Sequence, residues 1–289
     1  MPRFGVLLPA FGISWADARA IAVRAEAAGY DDVWLPDHLL GIPDPDTRVL
    51  EAWTTLSALA EATSRVGLGT LVVSATFRPP RVLAKAVATL DEVAPGRLTL
   101  GLGAGWLREE HEAFALPFPP HAERLARLVE TIEAVRELAP GVPVLVGGAS
   151  SSLMSVAARH ADLWNAPADR LDELPQLAAA FREHAARAGR TVDLVARVGV
   201  LLGDAPGEAE ARLARRSNPW TRIGLGPLGL VGDPHTILAR IGEHRRLGVE
   251  RFVLGFSQRD ALGGAMEAFA ERVIAPAREG MTENRQEDP

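Results

Sequence analysis

Short apolar runs alternate with amphipathic stretches along the whole chain. Residues 4–8 form an apolar run that stops at Pro9, and residues 16–28 then carry helical spacing that Gly29 ends. The same signals predict strands at 32–36, 66–74, 97–101, 142–146, 161–165, 194–202 and 251–256. Helices are predicted between them at 51–63, 81–93, 123–138, from about Ser150, at 171–188 and at 264–277. Residues 204–247 read as a short helix, a glycine-rich loop and a longer helix. Strands that are apolar on both faces fit a parallel sheet under helices. Eight such repeats in 289 residues suit a closed barrel better than an open sheet. No G-x-G-x-x-G opens a helix after the first strand, so a dinucleotide fold lacks its main support. The expected class is therefore α/β: a single-domain TIM (β/α)8 barrel over 1–280, with 281–289 a polar, frayed tail.

Composition narrows the function. The net charge of −6 argues against a nucleic-acid surface. No apolar run is long enough to span a bilayer, and the first residues lack the layout of a signal peptide, so a cytoplasmic location is expected. With no cysteine there is no thiolate nucleophile, thiolate metal site or disulfide. Lys85 is the sole lysine, a bias that fits a GC-rich genome. His111, His121, His160, His184, His235 and His244 lack metal-ligand spacing, and no metal is expected.

In a barrel of this kind chemistry sits where strands end and βα loops begin. After the second strand stand Asp37 and His38; the histidine can exchange a proton near neutral pH, or the pair can be a capped, solvent-facing loop. After the third come Ser74, Ala75, Thr76, Phe77 and Arg78, small enough to admit a flat ligand and with a cation for an anion, or else an ordinary loop before a proline-started helix. After the fourth, Gly103, Ala104, Gly105 and Trp106 suit a floor and wall for a planar ring, or a tight turn with a packed indole. After the fifth, Gly147, Gly148, Ala149 and Ser150 open a helix, a natural phosphate seat or a capped glycine turn. Asn165 follows the sixth strand and either contacts a ligand or caps a helix. Phe11 and Trp53 join Phe77 as candidate substrate walls, while Glu109-Glu110 and Arg245-Arg246 read as solvated helix faces.

The order D-H, E-A-W-T-T-L-S-A-L-A, S-A-T-F-R-P-P, L-G-L-G-A-G-W, P-V-L-V-G-G and A-D-L-W-N, closed by V-G-D-P and G-V-E-R-F, resembles the luciferase-like monooxygenase family over about residues 4–275. The resemblance implies a barrel that binds FMN or the deazaflavin F420 at the strand C-termini, in a homodimer acting on a small molecule. It implies that Ser74 to Thr76 form a bulge behind the ring, often with a non-prolyl cis peptide, and that residues 147–150 hold cofactor phosphate. It makes His38 a general base with Asp37 in support. Two features depart from the sugar-phosphate dehydrogenases of the F420 branch. Trp106 replaces an acid after the glycines, and the near-absence of lysine argues against a sugar-phosphate substrate. An insertion common before the fifth strand is also missing at 138–141. The leading expectation is an F420-dependent oxidoreductase that transfers a hydride. An FMN-dependent monooxygenase is the alternative, and a cofactor-less barrel serving as a binding or scaffold subunit is a third reading.

Overall fold

The computed structural model describes residues 1–216 and 222–284, the last five as helical backbone only. Strands β1 (Arg3–Leu7), β2 (Asp32–Leu35), β3 (Gly67–Thr70), the short β4 (Val73–Ser74), β5 (Leu98–Gly103), β6 (Val144–Gly147), β7 (Leu163–Ala166), β8 (Asp193–Leu202), β9 (Leu230–Gly232) and β10 (Val249–Gly255) all pair in parallel. The order β10-β1-β2-β3-β5-β6-β7-β8, closed by β10 on β8, is an eight-stranded barrel. The helices are α1 (Trp15–Ala27), α2 (Ala52–Ala62), α3 (Pro80–Val93), α4 (Arg108–Ala113), α5 (His121–Leu138), α6 (Ser151–His160), α7 (Leu174–Ala188), α8 (Glu208–Ala214), α9 (Pro234–Arg246), α10 (Gln258–Leu262), α11 (Ala265–Phe269) and α12 (Ala275–Asn284). None of the described helices is long and apolar enough to cross a membrane.

Local chemistry starts and stops these helices. Ser14 accepts from Asp17 N–H at the head of α1, and Asp233 accepts from Thr236 N–H at the head of α9. Gly189 ends α7 with φ +63°, in the left-handed region that favours glycine. Two apolar layers follow from strand alternation. Leu7, Trp34, Leu71, Leu145, Leu163, Val195 and Val253 fill the barrel, while the opposite faces of the strands pack on the helices. One indole plugs much of the interior because Gly5 and Gly69 flank it. A Cβ on either would lie 2.5 Å or 2.3 Å from the Trp34 ring. At the N-terminal end, Arg3 and Arg251 pair with buried Asp32.

Three expectations are corrected. The third strand is not continuous over 66–74: β3 stops at Thr70, the Leu71-Val72 peptide is cis, and the chain resumes as β4 beside β5. The bulge expected at Ser74-Ala75 thus lies at Leu71-Val72. The reason is space, because a Cβ on Gly103 or Gly147 would meet Val72 at 2.8 Å or 3.0 Å. The glycines of β5 and β6 seat a valine. The terminal helix expected over 264–277 is divided into α11, a π-helical turn at Ala270–Ile274, and α12. That last helix runs past residue 280 to Asn284, and the rest of the tail, 285–289, lies outside the described residues.

Candidate active site

The loops at the C-terminal ends of the strands gather around His38. Its ring Nδ1 lies 3.1 Å from Glu110 Oε1, and the same oxygen accepts from Leu39 N–H at 2.7 Å and Leu40 N–H at 3.2 Å. A carboxylate held by two backbone donors is an acceptor, so Nδ1 carries the proton and Nε2 keeps its lone pair. Nε2 makes no hydrogen bond with any described residue. Phe11 packs on one side of the imidazole at 5.3 Å, and Trp106 meets it edge-on at 6.2 Å. Glu110 is 2% exposed. Burial acts to raise its pKa, but the hydrogen bonds and charge of His38, with the Leu39 and Leu40 amides, outweigh burial and hold the carboxyl below its usual range.

Glu110 is the residue that sequence reasoning missed, and its assignment to a solvated face is overturned. Leu107 begins the segment and His111 is buried in it. The helix buries Glu110 beside His111. The six residues of α4 are too few for periodicity to announce that face.

Asp37 does not touch His38. Its side chain is fully buried and takes a two-pronged contact from Arg78, at 2.8 Å and 3.1 Å, while Arg78 also reaches Glu51 at 2.5 Å. Burial works against the charge on Arg78, yet Asp37 and Glu51 together push its pKa up. Glu51 also caps α2 through Trp53 and Thr54 N–H. This triad ties the ends of β2 and β4 to α2, so the cation expected to hold an anion is already neutralised.

Ser74 and Thr76 are likewise spent inside the protein. Ser74 Oγ lies 2.7 Å from Thr76 Oγ1, which lies 2.7 Å from His111 Nε2, and His111 Nδ1 donates to Leu107 O at 2.7 Å. Ala75 between them is completely buried. Gly105 closes over these hydroxyls with φ +76°, where a Cβ would lie 2.6 Å from Thr76 Oγ1. The chain anchors the turn that presents Trp106, 64% exposed, to the mouth. Gly103 and Ala104 lie buried, and Val72 occupies the space that a side chain on Gly103 would take. Phe77 packs on His111 at 5.0 Å, and Trp53 belongs to the helix-facing core. Of the three expected substrate walls, only Phe11 lies against His38.

At the fifth loop Gly148 N–H donates to Asn165 O, and Gly148 O accepts from Trp164 Nε1. Asn165 Nδ2 donates to Val195 O, so this amide braces β7 on β8. Ser150 caps α6 by accepting from Leu153 N–H. The exposed start of α6 gathers Ser150, Ser151 and Ser152, with His121 at 3.2 Å from Ser152 and His184 at 3.3 Å from Ser151. Hydroxyls, imidazoles and free first-turn amides are the donors a phosphate requires. These groups stand at the exposed start of α6, directly after Gly147 to Ala149.

Comparison with known proteins accords with this architecture. An F420-dependent glucose-6-phosphate dehydrogenase of Beutenbergia cavernae is 38% identical over 168 residues, 58% of this chain and 48% of that protein. An F420-dependent hydroxymycolic acid dehydrogenase of Mycobacterium tuberculosis is 31% identical over 220 residues, 66% of this chain and 61% of that protein. Both alignments span less than two thirds of the relatives' length. The crystal structure of a monooxygenase from Streptomyces bottropensis superposes with a TM-score of 0.77 at 22% identity, covering 94% of this chain and 99% of the other. The family model for luciferase-like monooxygenases matches residues 1–282, and the chain belongs to that family.

Proposed function

We propose that this protein is an F420-dependent oxidoreductase that moves a hydride between the deazaflavin and a small organic substrate. The observation that carries the reading is the proton-ready Nε2 of His38 at the barrel mouth, with Nδ1 locked by Glu110. The curated relatives named above, both F420-dependent by name, support the choice of cofactor. The chain's own residues fit such a group. Ser150 to Ser152 with His121 and His184 would hold its phosphate, and Val72, backed by Gly103 and Gly147, would lie against its ring. When bound, the deazaflavin supplies the carbon that carries the hydride. His38 accepts a proton at Nε2 and returns it there, Glu110 stabilises the imidazolium in between, and Phe11 and Trp106 keep water from its faces. A homodimer in the cytoplasm goes with this reading.

Fluorescence titration of the purified protein with F420 and with FMN tests it. Saturable binding of F420 and none of FMN is the expected result. FMN binding alone would move the chemistry to oxygen activation, and binding of neither would leave a cofactor-less scaffold.

The role of Glu110 has its own signature. In Glu110→Gln the amide oxygen still accepts from Leu39 and Leu40, so His38 keeps its tautomer but loses a negative neighbour. Turnover is expected to fall about tenfold, a small part of the 10²–10⁴ that proton transfer contributes. The fall should appear in kcat with KM unchanged, because Glu110 acts through His38. A loss of Tm with kcat unmoved would assign Glu110 to folding alone. Stability follows the same logic. A carboxyl held low in the folded state stabilises the protein above its unfolded pKa, about 4.3, and that contribution is lost as pH falls through the folded value. The acid-side loss of Tm should therefore be shallower in the variant.

A further inference from the structure

Along β8 the side chains alternate between two environments. Leu194, Ala196, Val198 and Val200 face the helices, and Val195 faces the barrel interior. Arg197 therefore points inward, one step nearer the mouth than Val195. Its register neighbour on β10 is Val253, another interior residue. One step above, Gly199 has no side chain, and a Cβ there would lie 2.7 Å from Leu225, so the 224–225 loop closes over the arginine. Gly255 leaves the neighbouring end of β10 without a side chain. Arg197 is half-buried beneath this loop.

The guanidinium has no hydrogen bond and no ion pair with any described residue. Its one electrostatic partner is Asp169, an exposed residue in the turn after β7 that acts only at longer range. Its five N–H donors are thus unmet by any described residue. Half-buried donors without acceptors are costly, and a ligand that brings acceptors relieves the cost. The planar fork matches a carboxylate's two oxygens, and a single positive charge balances one monoanion. The only lysine, Lys85, lies exposed on α3 and adds nothing here. In the barrel, β8 and β2 are separated by β10 and β1, so Arg197 and His38 face the mouth from different sides.

We propose that Arg197 binds a carboxylate of the substrate, so that the molecule oxidised or reduced is an organic acid anchored beneath β8 with its reacting carbon turned toward His38. This rests on the oxidoreductase reading above, and the test separates the two.

Wild type, Arg197→Gln and Arg197→Lys are titrated calorimetrically with acetate, butyrate and benzoate, with the neutral benzamide and with inorganic phosphate. Each series is run with and without F420. Carboxylates are expected to bind wild type and benzamide not to bind. Arg197→Gln should weaken the carboxylates at least tenfold, with Arg197→Lys between the two, and F420 affinity should be the same in all three. Since the arginine makes no hydrogen bond or ion pair with a described residue, Arg197→Gln should melt no lower than wild type. The proposal is overturned if none of the three carboxylates binds, if they bind Arg197→Gln as tightly as wild type, or if phosphate alone depends on the arginine. It is equally overturned if F420 affinity falls in Arg197→Gln, which would give the residue to the cofactor, or if that variant melts lower, which would make it structural. A wild type that binds carboxylates through Arg197 but no F420 would leave the anion site standing and remove the cofactor reading.

Discussion

His38→Ala is expected to cut turnover by roughly 10²–10⁴-fold, the usual contribution of a positioned acid–base group. F420 affinity should change little, because the candidate phosphate seat lies at α6 and the bulge at Val72, and neither touches His38. The fold should survive, since Glu110 keeps the Leu39 and Leu40 amides when the imidazole is gone. Stopped-flow measurement of cofactor reduction, paired with the binding titration, separates the two effects. Unchanged turnover would remove His38 from the chemistry. A loss confined to F420 binding would make it a wall of the ring site. Glu110→Gln serves as the companion, because it leaves the imidazole in place and alters only its charge environment.

The largest effect on stability is expected from Arg78→Met. The Asp37 carboxylate has no exposed surface and loses both of its guanidinium contacts. Breaking a buried pair by removing one partner costs about 3–5 kcal/mol. At roughly 2–4 °C per kcal/mol for large domains, Tm should drop by roughly 6–20 °C. The sign with pH is specific. Burial already holds the Asp37 pKa above its unfolded value of about 3.9 against the pull of Arg78, and without that cation it rises further, so the variant's folded state binds the extra proton over a wider pH range. The penalty is absent below that pH and grows as pH rises. The Tm gap between variant and wild type should therefore narrow on acidification. Adding Asp37→Asn to Arg78→Met removes the stranded charge and should recover much of the loss, as a double-mutant cycle would register. A gap that does not depend on pH would mean that Arg78 matters for packing rather than for neutralising Asp37.

Alternation of apolar runs and amphipathic stretches was enough to determine the barrel from the sequence. Strand and helix periods are local properties, and eight repeats leave few ways to bury the strands on both faces. The sequence also placed His38 at a strand end, because position after a strand is read directly from the chain. It could not say who touches whom. Asp37 precedes His38 in the chain, yet backbone direction turns it to Arg78. The partner of His38 is Glu110, distant in sequence and carried on a six-residue helix. The alternate glycines of β5 read as a floor for a ring, and only the packed barrel shows that Val72 occupies part of the space they leave. Arg197 passes in the sequence as one arginine in an apolar strand. Its significance comes from the closure of the barrel, which turns it inward at a level where the described neighbours offer no acceptor. Periodicity assigns a residue to a face, but partners are set by contacts between distant strands, and those exist only once the sheet has closed.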